Sequence, residues 1–178
     1  MMYGGACMGK TSRAVSNAGP LIHLAEIDSL KAFSFCEKVL IPQEVYDELR
    51  KYEQSERTVR GARFMTLRNL SEDSKNLAKR LSITYELHLG EAAAITLAQQ
   101  EGIVLFFTDD LVARLVAISL GFKVHGSVGI LLRAFRENLL TKDDVVSKIG
   151  MLEKDSTLFI TRDLIKYILR EINEYQAK

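Results

Sequence analysis

Apolar and polar positions along this chain switch period repeatedly between the spacing of a strand and that of a helix. From Ala14 onward, short apolar runs alternate with segments whose apolar residues recur every three or four positions. Arg13 to Asn17 is strand-like and runs through a Gly19-Pro20 turn into a helical pattern carrying Leu21, Ile22, Ala25, Leu30 and Phe33, interrupted around Asp28 and Ser29. Val39 to Ile41 predicts a second strand, followed by a helix with Pro42 in its first turn, where a missing N–H costs nothing, and with Val45, Tyr46 and Leu49 inward. Phe64 to Leu67 reads as extended, and Ser71, followed by Glu72 and Asp73, caps a helix through about Leu81. GEAAAITLAQQ (90–100) is a helix, and IVLFF (103–107) is the clearest strand, its unbroken apolar run suiting a parallel strand covered on both faces. A helix at Leu111 to Leu120 closes on Gly121, Phe122 to Val124 adds a strand, and Val128 to Glu137, Lys142 to Lys154 and Arg162 to Tyr175 are helical. Strands alternating with helices predict an α/β domain on a mostly parallel sheet, with a helical C-terminal part.

Composition adds bounds. The chain has 178 residues, 47% of them hydrophobic and 26% charged, which suits one soluble domain with a sizeable core. No apolar run reaches the ~20 residues that span a bilayer, and no signal-peptide layout opens the chain, so a cytoplasmic location is expected. Cys7 and Cys36 make no disulfide framework, and with three histidines there is no cluster at zinc spacing. A net charge of +1 neither demands nor excludes nucleic acid. The basic run Arg50, Lys51, Arg57, Arg60, Arg63 and Arg68 against Glu53 and Glu56 reads first as a solvated helix and loop.

GGACMGKT (4–11) matches the phosphate-loop pattern G-x-x-x-x-G-K-[ST]. That loop works only with a buried strand before it and a helix after it. Met1 to Tyr3 alone precede it, and strand-like Arg13 to Asn17 follows. Residues 1–12 are therefore expected to be a flexible N-terminal extension, with Met8 as an alternative start, and residues 13–178 a single domain.

In an open α/β sheet, ligands bind beyond the carboxyl ends of the strands. The polar residues collected there are Asn17, then Glu44, Asp47 and Glu48 on the helix after the second strand, then Thr108, Asp109 and Asp110 after IVLFF. Glu91 stands in the first turn of the preceding helix. Carboxylates gathered without cations raise their pKa values or bind a metal, and a hard divalent ion such as magnesium needs only a few oxygen ligands. Such an ion activates water and stabilises charge in phosphodiester cleavage. Each acid also has a plainer explanation: Glu91 favoured by the helix dipole, Asp109 and Asp110 as caps, Glu48 as a solvated residue.

VSNAGPLIHLAEI, VLIPQEVYDEL, LGEAAAITLA and VLFFTDDLVARLVAISLGFKVHGSVGIL, in that order, resemble the PIN-domain ribonucleases, in particular a VapC-like prokaryotic toxin branch with asparagine at the first acidic position. The resemblance implies a three-layer α/β/α fold and a Mg- or Mn-dependent endoribonuclease of toxin-antitoxin type, checked by a small cognate antitoxin and often dimeric. Carried over, the catalytic positions are Asn17, Glu48, Glu91 and Asp110, with Asp109 competing with Asp110 as metal ligand beside Glu91 and Glu48. Arg114 and Thr108 are implied as substrate contacts. The chain departs from the family where Asp-Thr-Ser becomes Asn17-Ala18-Gly19. Asparagine coordinates as a neutral ligand and cannot act as a base. The alternative is a catalytically impaired PIN-like module binding RNA or protein. A receiver or phosphatase reading fails because Asn17 cannot be the aspartyl nucleophile.

Overall fold

The computed structural model describes residues 11–175. The phosphate-loop match at Gly4 to Lys10 lies outside them, and Thr11 and Ser12, expected as the end of an extension over residues 1–12, open the first strand. The strands are β1 (Thr11–Ser16), β2 (Cys36–Ile41), β3 (Met65–Leu67), β4 (Leu105–Phe107) and β5 (Lys123–His125). They pair in parallel in the order β3-β2-β1-β4-β5. β1 begins before Arg13 because Thr11 already pairs with Cys36.

The helices are α1 (Ala18–Glu26), α2 (Gln43–Leu49), α3 (Glu53–Gly61), α4 (Glu72–Tyr85), α5 (Leu89–Gln100), α6 (Leu111–Ser119), α7 (Ser127–Arg136), α8 (Lys142–Asp155) and α9 (Arg162–Glu174). α1 is shorter than its periodicity predicts. Asp28 takes a left-handed backbone (φ 47°), and a separate 3-10 turn, Leu30–Phe35, follows. β4 is also shorter than IVLFF. Gly102 has φ 62° and the N–H of Ile103 bonds back to the carbonyl of Ala98, so Ile103 closes α5 instead of joining the sheet.

The architecture is three-layered. α1, the 3-10 turn, α7 and α8 contact one another on one side of the sheet, and α4, α5 and α6 form the other layer, with α2 touching both α1 and α5. Phe106 and Phe107 of β4 are fully buried, and Phe107 meets Phe33 edge-on at 5.4 Å and Phe35 at 6.1 Å. α5 is buried almost all round, from Ala92 to Ala98, because its small side chains let β1, β4, α2, α4 and α6 approach it.

The strand order reverses direction between β1 and β4. Chain entering on either side of this switch point turns away from the other, opening a crevice at the strands' carboxyl ends. No described helix is long and apolar enough to cross a membrane.

Candidate active site at the strand switch point

Asn17 follows β1 directly, and its backbone N–H donates to the carbonyl of Phe107 at 3.0 Å, stitching the two strand ends together. It stands at the N-cap of α1 but its side chain does not cap that helix. Instead Nδ2 donates to Thr108 Oγ1 at 2.7 Å, across the switch point. The same hydroxyl accepts the backbone N–H of Asp110 at 3.1 Å. One buried oxygen thereby joins the ends of β1 and β4. The remaining Asn17 atom, Oδ1, is buried with no hydrogen-bond partner. Burying such an acceptor unmet costs about 1–3 kcal/mol, which a cation would relieve.

Asp110 caps α6, its Oδ1 accepting the N–H of Ala113 at 2.7 Å. Glu91 forms a capping box at the start of α5, with Oε2 accepting the N–H of His88 at 2.9 Å. Burial pushes the Glu91 carboxyl above its ordinary pKa; the His88 N–H opposes this, and the nearby charges of Asp110 and Glu48 add to it. Acids from α2, from α5 and from the N-cap of α6 thus bear on one half-buried group. Glu48 reaches the start of α5 because residue 90 has no side chain: a Cβ there would lie 3.1 Å from Glu48 Oε2. An open cleft of about 470 Å3 continues from this point, lined by Glu44, Asp47, Glu48, Lys51, His88, Leu89 and Gly90.

Asp109 is engaged elsewhere. Its Oδ1 accepts the N–H of Ser127 at 2.7 Å, and its Oδ2 accepts the Ser127 hydroxyl at 2.5 Å and lies 2.8 Å from His23 Nδ1. These bonds tie α7 and α1 to the end of β4, and they make Asp109 an anchor where the sequence left it level with Asp110 as a ligand. Thr108, expected as a substrate contact, has no exposed surface, and its hydroxyl is occupied by Asn17 and Asp110. Arg114 spends one donor on the carbonyl of Thr108 at 2.9 Å and lines a cavity with Asp109. In the basic run, Arg68 pairs with Glu101 at 3.1 Å, where Arg13 joins it, and Arg60 lies 3.9 Å from Glu56.

His23, His88 and Ser127 were missed by sequence reasoning. Gly126-Ser127 after a strand is a helix-start signal. Its pairing with an aspartate 18 residues back, and that aspartate's pairing with a histidine 86 residues away, leave no local trace.

Among the described residues, no three His, Cys, Asp or Glu side chains converge tightly enough to hold an ion by themselves. The donors at the switch point are instead a neutral carbonyl oxygen, Asn17 Oδ1, and carboxylates spread over three helices. This set suits an ion that keeps much of its water, as magnesium does, and not an all-protein cage.

The model of the DUF3368 family, a PIN domain, matches residues 13–174. No curated protein and no solved structure matches the chain.

Proposed function

Since the chain belongs to this PIN-domain family, whose fold is of nuclease type, we propose that it is a Mg- or Mn-dependent endoribonuclease of toxin-antitoxin type. The observation that carries the proposal is the meeting of Asn17, Thr108 and Asp110 at the switch point, beside a Glu91 whose pKa is raised by burial and by neighbouring acids.

In this reading Asn17 Oδ1, Glu48, Glu91 and Asp110 would hold the ion. A bound divalent ion polarises phosphoryl oxygen and lowers the pKa of water. The burial and neighbouring acids that raise the Glu91 pKa in the metal-free protein are what a bound cation would offset. Arg114 offers its remaining guanidinium donors to the scissile phosphate. Thr108 fixes Asn17 and Asp110 relative to one another, and Asp109 holds α7 against the same strand end.

Exposed apolar residues support a protein partner. Leu111, Leu115 and Ile118 form one stripe on α6 and are 66%, 59% and 53% exposed, beginning next to Asp110. A small antitoxin or a second copy seated there would cover apolar surface and the mouth of the site together.

The test is cleavage of a mixed set of RNAs by the purified protein with Mn, with Mg and with EDTA, beside Asp110→Asn. Asparagine caps a helix as well as aspartate does, so this variant removes the charge and keeps α6. Metal-dependent cleavage that falls about a hundredfold or more in Asp110→Asn is expected. Cleavage that survives EDTA, or is unchanged in the variant, would sink the reading. The second reading, a quiet binding module, is favoured by the neutral Asn17 and by the loose spacing of the acids. It predicts no cleavage by the wild type with either metal.

A further inference from the structure

Two adjoining cavities lead away from the acidic centre on the side opposite the Glu44–Glu48 cleft. One, of about 390 Å3, starts at Asp109 and Arg114; the other, of about 610 Å3, ends at Arg136 and Tyr175; His125 and Gly129 line both. They form one groove over the end of β5 and along α7 to the end of α9.

The groove combines an apolar lining, which includes Val128, Leu132, Leu158, Phe159 and Ile160, with a set of cations. The half-buried His125 has its pKa lowered first by burial and then by Arg133, Arg114 and Arg136, so three guanidinium groups bear on one imidazole. The acids along the path are already engaged. Asp109 is bonded to Ser127 and His23, and Glu137 lies 3.2 Å from Arg133. Arg136 has no carboxylate partner among the described residues, and its guanidinium sits 5.9 Å from the centre of the Tyr175 ring. Tyr175 in turn packs edge-on against Phe135 at 5.2 Å and keeps part of its surface exposed. Cations held in place beside an exposed aromatic ring are what a single-stranded nucleic acid needs, phosphates on the one and a base against the other. Electrostatics also decides which way a strand would leave the centre. The Glu44–Glu48 side carries three carboxylates against the one cation of Lys51, whereas Arg114 opens the other side directly beside Thr108.

We propose that this groove binds the single-stranded RNA running on from the scissile phosphate at Arg114, with a flanking backbone phosphate on Arg136 and a base against Tyr175. The assignment rests on the ribonuclease reading for what lies at the acidic centre.

Binding is measured without cleavage by fluorescence anisotropy in EDTA, using a fluorescein-labelled single-stranded RNA of roughly twelve nucleotides, within the reach of such grooves. The same sequence as a blunt duplex is the comparison. Arg136→Glu and Tyr175→Ala are each expected to weaken single-strand binding about tenfold, Tyr175→Phe to preserve it, and the duplex to bind more weakly than the single strand. If circular dichroism shows either variant misfolded, Arg136→Ala and Tyr175→Leu replace them. Unchanged affinity in the Arg136 and Tyr175 variants overturns the groove, as does a duplex that binds as well as the single strand. Failure of the two proposals is distinguishable. Absent metal-dependent cleavage with groove-dependent binding removes the nuclease and leaves the groove; cleavage with groove variants that bind like wild type does the reverse.

Discussion

Asn17 stands where a helix cap belongs and does not cap; its amide reaches across the sheet to Thr108 and leaves Oδ1 buried and unmet. A residue placed only to start α1 would have bonded forward along its own helix. Asp110 and Glu91 differ, since each satisfies a helix N-terminus and so bears out the plainer explanation, while the two stay close enough for the charge of one to raise the pKa of the other. Glu91 offers a test by pH. Its folded pKa is raised, meaning the native state holds the proton more tightly than the unfolded chain, whose value is about 4.3. Stability from this group is full below that value and is lost as pH rises through the raised one, so at pH 7 the ionised carboxylate is a burden on the metal-free fold. Glu91→Gln keeps an acceptor for the His88 N–H and carries no charge. It is expected to raise the Tm in EDTA at pH 7, with the gain fading toward pH 4, while abolishing cleavage; an unchanged or lower Tm at pH 7 would contradict the burial argument. At this scale the sequence already marked Glu48, Glu91 and Asp110, which the fold brings near one another, as acids at the strand ends. The division of labour between Asp109 and Asp110 was not legible there, because it depends on Ser127 and His23 arriving from other elements.

Between elements, the decisive joint is the one holding α7 to the end of β4. Asp109 reaches the first N–H of α7 past Gly126, whose backbone is ordinary (φ −98°) and whose lack of a side chain is what matters. A Cβ at residue 126 would come within 2.4 Å of Asp109 Oδ1 and 2.8 Å of Arg114 Nη2. Gly126→Ala is therefore expected to push Asp109 off Ser127 and cost about 1–2 kcal/mol, the worth of a lost helix cap. Chemical denaturation measures it, and a wild-type midpoint would show that the aspartate is not the anchor. Most elements were readable from period and caps, including α4 behind Ser71, which accepts the N–H of Ser74 at 3.2 Å. The misplaced edges have a common cause. Thr11 and Ile103 are assigned by a partner strand and by a closing helix turn, and neither is visible in local apolar spacing.

Over the whole molecule, the geometry of the candidate site depends on the packing of α5, the helix that carries Glu91 at its head. α5 fills the layer behind β1 and β4, and its alanines set how closely the sheet and the neighbouring helices approach. Ala94 is fully buried. Enlarging it in Ala94→Leu forces its surroundings apart and is expected to cost about 1–3 kcal/mol. For a domain of this size that lowers the Tm by roughly 2–4 °C per kcal/mol, read by a thermal melt. An unchanged Tm would mean that the layer has slack, and that Glu91 at the head of the same helix is held less firmly than its packing implies.

The α/β class, the parallel sheet and the choice of acids were determined by the sequence itself, because period, caps and charge are local properties of the chain. The strand order β3-β2-β1-β4-β5 belongs to the tertiary structure alone. Pairing β1 with β4 brings Asn17 to Thr108 across 91 positions, and no spacing rule encodes that contact. Only once the sheet is assembled does one buried hydroxyl join two strand ends, one aspartate become an anchor and its neighbour remain with the acids, since side chains compete for partners in space and not along the chain.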